Sequence, residues 1–150
     1  GRAGSESDVR ESLLKIMSLK SKKIIVTSFA SNVARMESVF YCAEKISRKV
    51  SLVGRSMNRI FKAARQCGYL QNIDDPIDPR DAKKLPREKI VYLCTGSQGE
   101  PMGAMKRIIK GMHPDVHIEK GDSVIFSSIE DKSQLRSFQL ISTKTGFRPF

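Results

Sequence analysis

The stretch Ile90-Val91-Tyr92-Leu93-Cys94-Thr95-Gly96-Ser97-Gln98-Gly99-Glu100-Pro101 sets an apolar run against a polar turn, with a helical pattern starting at Met102. The pattern predicts strand, turn and helix start. Gly96 and Gly99 let the backbone adopt positive φ or approach a ligand closely, and Pro101 suits a first helical position, where its missing N–H costs nothing. Such a turn aims free N–H groups at the space above a sheet, where the helix dipole favours an anion such as phosphate. The same local pattern fits an ordinary strand-to-helix connection equally well.

The rest of the chain repeats this unit. Gly1 to Lys20 reads as an amphipathic helix, with Ser5 or Ser7 as N-cap and Val9, Leu13, Ile16 and Met17 on one face. The run Ile24-Ile25-Val26-Thr27 is apolar on both faces, which suits a strand covered on both sides. A helix follows with Ser31 as its cap and Val33, Met36, Phe40 and Ala43 at three-four spacing. The second strand is Val50-Ser51-Leu52-Val53. After Gly54-Arg55-Ser56-Met57, with Ser56 at an N-cap position, comes a helix carrying Ile60, Phe61, Ala64 and Cys67 on one face and stopping at Gly68.

Gln71 to Arg87 mixes Asp74, Asp75, Asp78 and Asp81 with three prolines and reads as a solvated loop with a short turn of helix. The calcium-loop register of alternating oxygens, a sharp-turn glycine and a closing glutamate is missing. The helix after the opening stretch is expected to bury Met102, Met105, Ile109 and Met112, with Lys106, Arg107 and Lys110 outside. Asp122 to Phe126 reads as a fourth strand. Leu135, Phe138, Leu140 and Ile141 leave room for one more element in a weakly patterned tail.

Alternating strands and helices predict an α/β fold: a doubly wound, mainly parallel sheet of about four strands with helices on both faces. Ligands bind beyond the carboxyl ends of strands in such sheets, so the turns at Ser28 to Asn32, Gly54 to Met57 and Thr95 to Glu100 should line one edge.

The chain has 150 residues, enough for one domain with a real core, and a formal net charge of +11. A balance that basic points to a polyanionic partner, nucleic acid ahead of a membrane surface or an acidic protein. Three cysteines without close partners suggest neither disulfides nor a metal knuckle, and with no apolar run of membrane-spanning length the expectation is a cytoplasmic protein without membrane contact.

Catalytic constellations are weak. His113 and His117 are four residues apart, but Pro114 between them breaks the helical geometry of a zinc pair, and both are expected at the surface. Ser97 lacks the Gly-x-Ser-x-Gly context of a nucleophile elbow. The turn at Ser28 to Asn32 has no glycine, which excludes a dinucleotide fingerprint. Arg35, Arg55, Arg59, Lys106 and Arg107, in the first turns of helices, are placed to reach a phosphate chain, although a solvated helix face explains them too.

Four segments in order carry a family likeness: Val26-Thr27-Ser28-Phe29-Ala30-Ser31-Asn32-Val33-Ala34-Arg35, Val53-Gly54-Arg55-Ser56-Met57, Thr95-Gly96-Ser97-Gln98-Gly99-Glu100-Pro101-Met102 and Gly121-Asp122-Ser123-Val124-Ile125. Over roughly residues 3–128 the chain resembles the β-CASP domain of ribonuclease J. The resemblance implies an α/β domain inserted into a metallo-β-lactamase hydrolase domain, clamping single-stranded RNA over two zinc ions that serve 5′-exonucleolytic and internal cleavage. It implies RNA contacts from Ser28, Ala30, Ser31, Asn32, Arg35, Gly54, Arg55, Ser56, Ser97, Gln98, Gly99, Glu100 and Arg107.

The family's His-x-His-x-Asp-His metal cluster is not in this sequence, and residues 129–150 depart from the family pattern, so the tail is expected to be diverged or foreign. The resemblance therefore implies an RNA-binding domain of a zinc-dependent ribonuclease that holds no cofactor itself and is inactive without the metallo-β-lactamase domain. The rival expectation is a protein-interaction or oligomerisation module, whose exposed face meets another protein or a second copy in a homo-oligomer.

Overall fold

The computed structural model describes residues 5–95, 103–127, 135–142 and 146–149. The chain begins with helix α1 (Glu6–Ser18), capped by Ser5, whose hydroxyl accepts from the Asp8 N–H while the Asp8 carboxylate accepts from the Ser5 N–H. This reciprocal pair satisfies two amides that a helix start otherwise leaves orphaned. Strand β1 (Ile24–Thr27), helix α2 (Val33–Lys45), strand β2 (Lys49–Val53) and helix α3 (Arg55–Gln66) follow. A short helix α4 (Pro79–Ala82) and a 3-10 turn (Arg87–Lys89) interrupt the aspartate-rich loop before β3 (Ile90–Cys94). Helix α5 (Ala104–Ile109), β4 (Ser123–Phe126), β5 (Arg136–Ser142) and β6 (Gly146–Pro149) complete the described elements.

The six strands form one sheet in the order β2-β3-β1-β4-β5-β6. The first four are parallel, as the β-branched runs predict, and β5 and β6 extend the sheet as an antiparallel hairpin. The single further element expected around Leu135 to Ile141 is thus β5, and β6 is a strand the sequence pattern does not disclose. Ile141 itself lies outside the described side chains.

Alternate residues of each strand supply two cores, as the pleat requires. On one face Ile24, Val26, Val91, Leu93, Leu52 and Ile125 pack against Leu13 and Met17 of α1, Met36, Val39 and Phe40 of α2, and Met57 and Phe61 of α3. On the other, Ile25, Tyr92, Cys94 and Val124 meet Ala104, Met105 and Ile108 of α5, Ala82 of α4 and Val116. Truncating a side chain such as Leu93 to alanine costs about 2–5 kcal/mol.

Several expectations are corrected here. Asn32, not Ser31, caps α2: its Oδ1 accepts from the Arg35 N–H at 2.9 Å. Gly54, not Ser56, precedes α3, and Ser56 sits inside the helix without a capping bond. Cys67 is exposed because α3 ends at Gln66, one residue before its apolar face would reach it. Ile109 and Met112 are 49% and 62% exposed. Helix α5 starts at Ala104 and ends at Ile109, so its sheet-facing stripe is Ala104, Met105 and Ile108, and Met112 lies beyond the helix. Met102 falls outside the described residues.

Two polar knots hold the amino ends of the strands. The Arg48 guanidinium donates to the carbonyls of Lys20, Lys22, Arg87 and Ile90 at 2.7–3.2 Å. Asp122, fully buried, accepts from the backbone N–H groups of Lys23 and Glu119 and from the Arg87 side chain. Among the described residues no helix is long and apolar enough to cross a membrane.

Candidate nucleic-acid interface

Sheet register fixes where the turns emerge. Val53 pairs with Cys94, Cys94 with Thr27, and Thr27 with Phe126, so the four parallel strands end in one line. At roughly 4.8 Å per strand, the exits of β2, β3 and β1 lie within about 10 Å. The strand exits at Thr27, Val53 and Cys94 therefore share one edge, as the alternating pattern predicts; residues 96–102 lie outside the described residues.

The turn after β1 is held internally. Ser28 is buried; its N–H donates to the Cys94 carbonyl at 3.0 Å and its hydroxyl to the Phe29 carbonyl at 3.2 Å. The Asn32 N–H donates to the same Phe29 carbonyl at 3.1 Å. Ala30 packs half-buried on the core, and Ser31 is exposed.

Arg35 occupies a different place from the one its position predicts. It is 2% exposed. Its Nε donates to both Glu6 carboxylate oxygens at 3.3 and 3.0 Å, and its Nη1 to the Ser127 carbonyl. Ser38 adds a hydroxyl bond to the same carboxylate at 2.8 Å. A guanidinium committed in this way joins α1, α2 and the end of β4.

The turn after β2 is open. Gly54 has φ 103° and ψ 152°, a conformation essentially reserved for glycine, and it brings no side chain to cap α3. The first N–H groups of this 12-residue helix therefore stay uncapped by side chains, and Asn58 Nδ2 holds the Gly54 carbonyl at 2.8 Å. Arg55 is exposed and Ser56 half-buried.

Beside this turn lies a groove of about 780 Å³, the meeting point of three segments distant in sequence. Gly54, Arg55 and Asn58 form one wall, Ile77 to Pro79 another, and Arg107, His113 and Asp115 the third. Its two acidic groups are engaged: Asp78 accepts from the Arg80 backbone and guanidinium at 2.8–3.2 Å, and Asp115 pairs with Lys83 at 3.4 Å. Bonds from Arg80 hold the Asp78 carboxyl below its ordinary range. The side chains of Arg55 and Arg107 have no hydrogen-bond or ion-pair partner among the described residues, so with Asp78 held by Arg80 and Asp115 by Lys83 they are the unpaired charges of the groove's lining.

His113, expected at the surface, is buried in this wall. Its Nδ1 accepts from the N–H groups of Asp115 and Val116 at 3.1 and 3.0 Å. Burial, and then the Arg107 charge, lower its pKa from the ordinary value. The ring is thus neutral near pH 7, with Nε2–H as its remaining donor. His117 is exposed. Among the described residues no group of three or more His, Cys, Asp or Glu side chains is placed to hold a metal ion.

Of the sequence-derived candidates, Gly54, Arg55 and Arg107 converge on the groove, with Ser56 one residue on. Ser28, Ala30, Ser31 and Asn32 form the neighbouring turn. Ser97, Gln98, Gly99 and Glu100 lie outside the described residues. Asn58, Asp78, His113 and Asp115 join the groove without a sequence signal, because nothing local announces that the loop before α4 and the loop after α5 meet beside α3.

Comparison with known proteins fits this arrangement. The family described as "Ribonuclease J, beta-CASP domain" matches residues 21–131. The chain belongs to this family. The β-CASP domain is 41% identical over 129 residues to ribonuclease J of Synechocystis sp., covering 85% of this chain and 20% of that protein. Ribonuclease J of Mycolicibacterium smegmatis is 40% identical over 129 residues, covering 85% of the chain and 23% of the relative. Ribonuclease J2 of Bacillus subtilis is 31% identical over 146 residues, covering 97% and 26%, so that match takes in most of the stretch after Ser128. The β-CASP chain thus spans a fifth to a quarter of the length of these relatives.

Proposed function

We propose that this chain is the RNA-binding β-CASP domain of a ribonuclease J-like, zinc-dependent 5′-exo- and endoribonuclease, and that single-stranded RNA lies along the carboxyl edge of its sheet. The observation that carries the reading is the convergence of Gly54, Arg55 and Arg107 on one groove at that edge, where the two guanidiniums are unpaired while Asp78 and Asp115 are held by Arg80 and Lys83. Both guanidiniums suit bidentate contact with phosphate oxygens. The uncapped start of α3 adds backbone N–H donors of the kind that bind anions. Contacts of these types position a strand without reading its sequence, which a processive nuclease needs.

Bond cleavage belongs, in this reading, to a metallo-β-lactamase domain that partners this one. Zinc would supply an activated water there, and the described residues of this chain offer no ligand set that fits it. What these residues do is bind and orient.

The test is titration of the chain with a fluorescent single-stranded oligoribonucleotide at several salt concentrations. Affinity is expected to fall as salt rises from about 50 to 200 mM. Arg55→Glu and Arg107→Glu are each expected to weaken binding about tenfold, and to reduce the salt slope by about 0.7 for each phosphate that the variant no longer neutralises. Absence of binding at low salt would overturn the reading and return the protein-interaction alternative.

A further inference from the structure

Phe29 stands out on the same edge. It is 42% exposed, although it directly follows the buried strand end Thr27-Ser28 and lies four residues before the first residue of α2. The backbone beneath it is fixed: its carbonyl accepts from the Ser28 hydroxyl and the Asn32 N–H, and Ser28 is tied to Cys94 in the adjacent strand. An aromatic ring held outward on a pinned turn loses little further conformational freedom when a flat partner covers it. Strand order places this turn two strands from the Gly54 turn, about 10 Å away, with the β3 exit between them.

We propose that Phe29 is a base-stacking residue, receiving the face of a nucleobase from the single-stranded RNA whose phosphates run past Arg55 and Arg107. This rests on the RNA-binding reading above and adds to it a contact with the bases. Stacking on an aromatic ring tolerates any base, because every base has a π-face, so it strengthens binding without conferring sequence specificity. A charged groove on one side and a ring on the other is the combination by which single strands are held without selection of sequence.

The sequence contains no tryptophan, so Phe29→Trp creates a single fluorescent reporter. The reporter is titrated with a single-stranded oligoribonucleotide and with an abasic oligomer of equal length and charge. Quenching by the base-bearing strand and none by the abasic one is expected. Phe29→Ala should weaken binding of the base-bearing strand about five- to a hundredfold and leave abasic binding and the urea midpoint unchanged. If the wild-type chain binds RNA while the tryptophan emission stays constant and Phe29→Ala binds equally well, the proposal is overturned and the ring is a packing surface for another protein segment. If the wild-type chain binds no RNA at all, the RNA-binding reading fails first, and this inference with it.

Discussion

Replacing Arg35 by methionine tests the most consequential departure from the sequence pattern. Methionine keeps much of the aliphatic bulk and removes the guanidinium. The Ser127 carbonyl then loses its donor in a buried setting, and Glu6 loses both hydrogen bonds from Nε while keeping the Ser38 hydroxyl. A buried acceptor left unsatisfied costs about 1–3 kcal/mol, and breaking a buried ion pair from one side costs about 3–5 kcal/mol. The Glu6 side chain is 26% exposed, so water offsets part of the second cost. The expected loss is about 3 kcal/mol, or roughly 6–12 °C in Tm for a domain of this size. Urea unfolding gives the value directly, and a cycle with Glu6→Gln isolates the pair. A variant within about 0.5 kcal/mol of the parent would refute the reasoning. Arg35 would then be a solvent-facing cation and a candidate RNA contact after all.

Three further outcomes are expected. Gly54→Ala should lose about 1–3 kcal/mol, read from the urea midpoint; the nearest atoms to an added Cβ are 3.9–4.0 Å away, so the cost is conformational, and an unchanged midpoint would contradict it. Asp122→Ala orphans the backbone N–H groups of Lys23 and Glu119 and leaves Arg87 only the Lys120 carbonyl and Glu119, and should destabilise by about 3 kcal/mol in chemical denaturation; near-parental stability would show that water replaces the carboxylate. His113 is neutral in the folded chain with its pKa lowered, so the unfolded chain takes up the proton first as pH falls. Its contribution is complete above the unfolded value of about 6.5 and declines below it until the folded pKa is passed. His113→Asn should flatten that part of the urea-midpoint profile relative to the parent between about pH 7 and 5.5; identical pH dependence in the two proteins would exclude the effect.

The parallel sheet is legible because Ile24-Ile25-Val26 and Ile90 to Cys94 are apolar without alternation, which only a strand covered on both faces sustains. The shared edge follows from topology. Individual side chains do not. A basic residue in the first turn of a helix reads the same whether it faces water or the interior, and Arg35 is decided by Glu6 and Ser127, 29 and 92 residues away. Ser31 and Asn32 are adjacent and both good caps, so backbone geometry chooses between them. The spacing of Met105, Ile109 and Met112 suggests one buried face, but a helix ending at Ile109 cannot carry that face to Met112. The groove itself depends on three loops meeting, and no periodicity encodes such a meeting.

The Arg48 and Asp122 knots sit at the end of the sheet opposite the groove. Arg48 gathers carbonyls from segments 26–42 residues away, and Asp122 reaches a backbone N–H 99 residues back. Tolerance to mutation should therefore be polarised along the strand axis. The turns at one pole can be remodelled while the opposite pole keeps the strands in register.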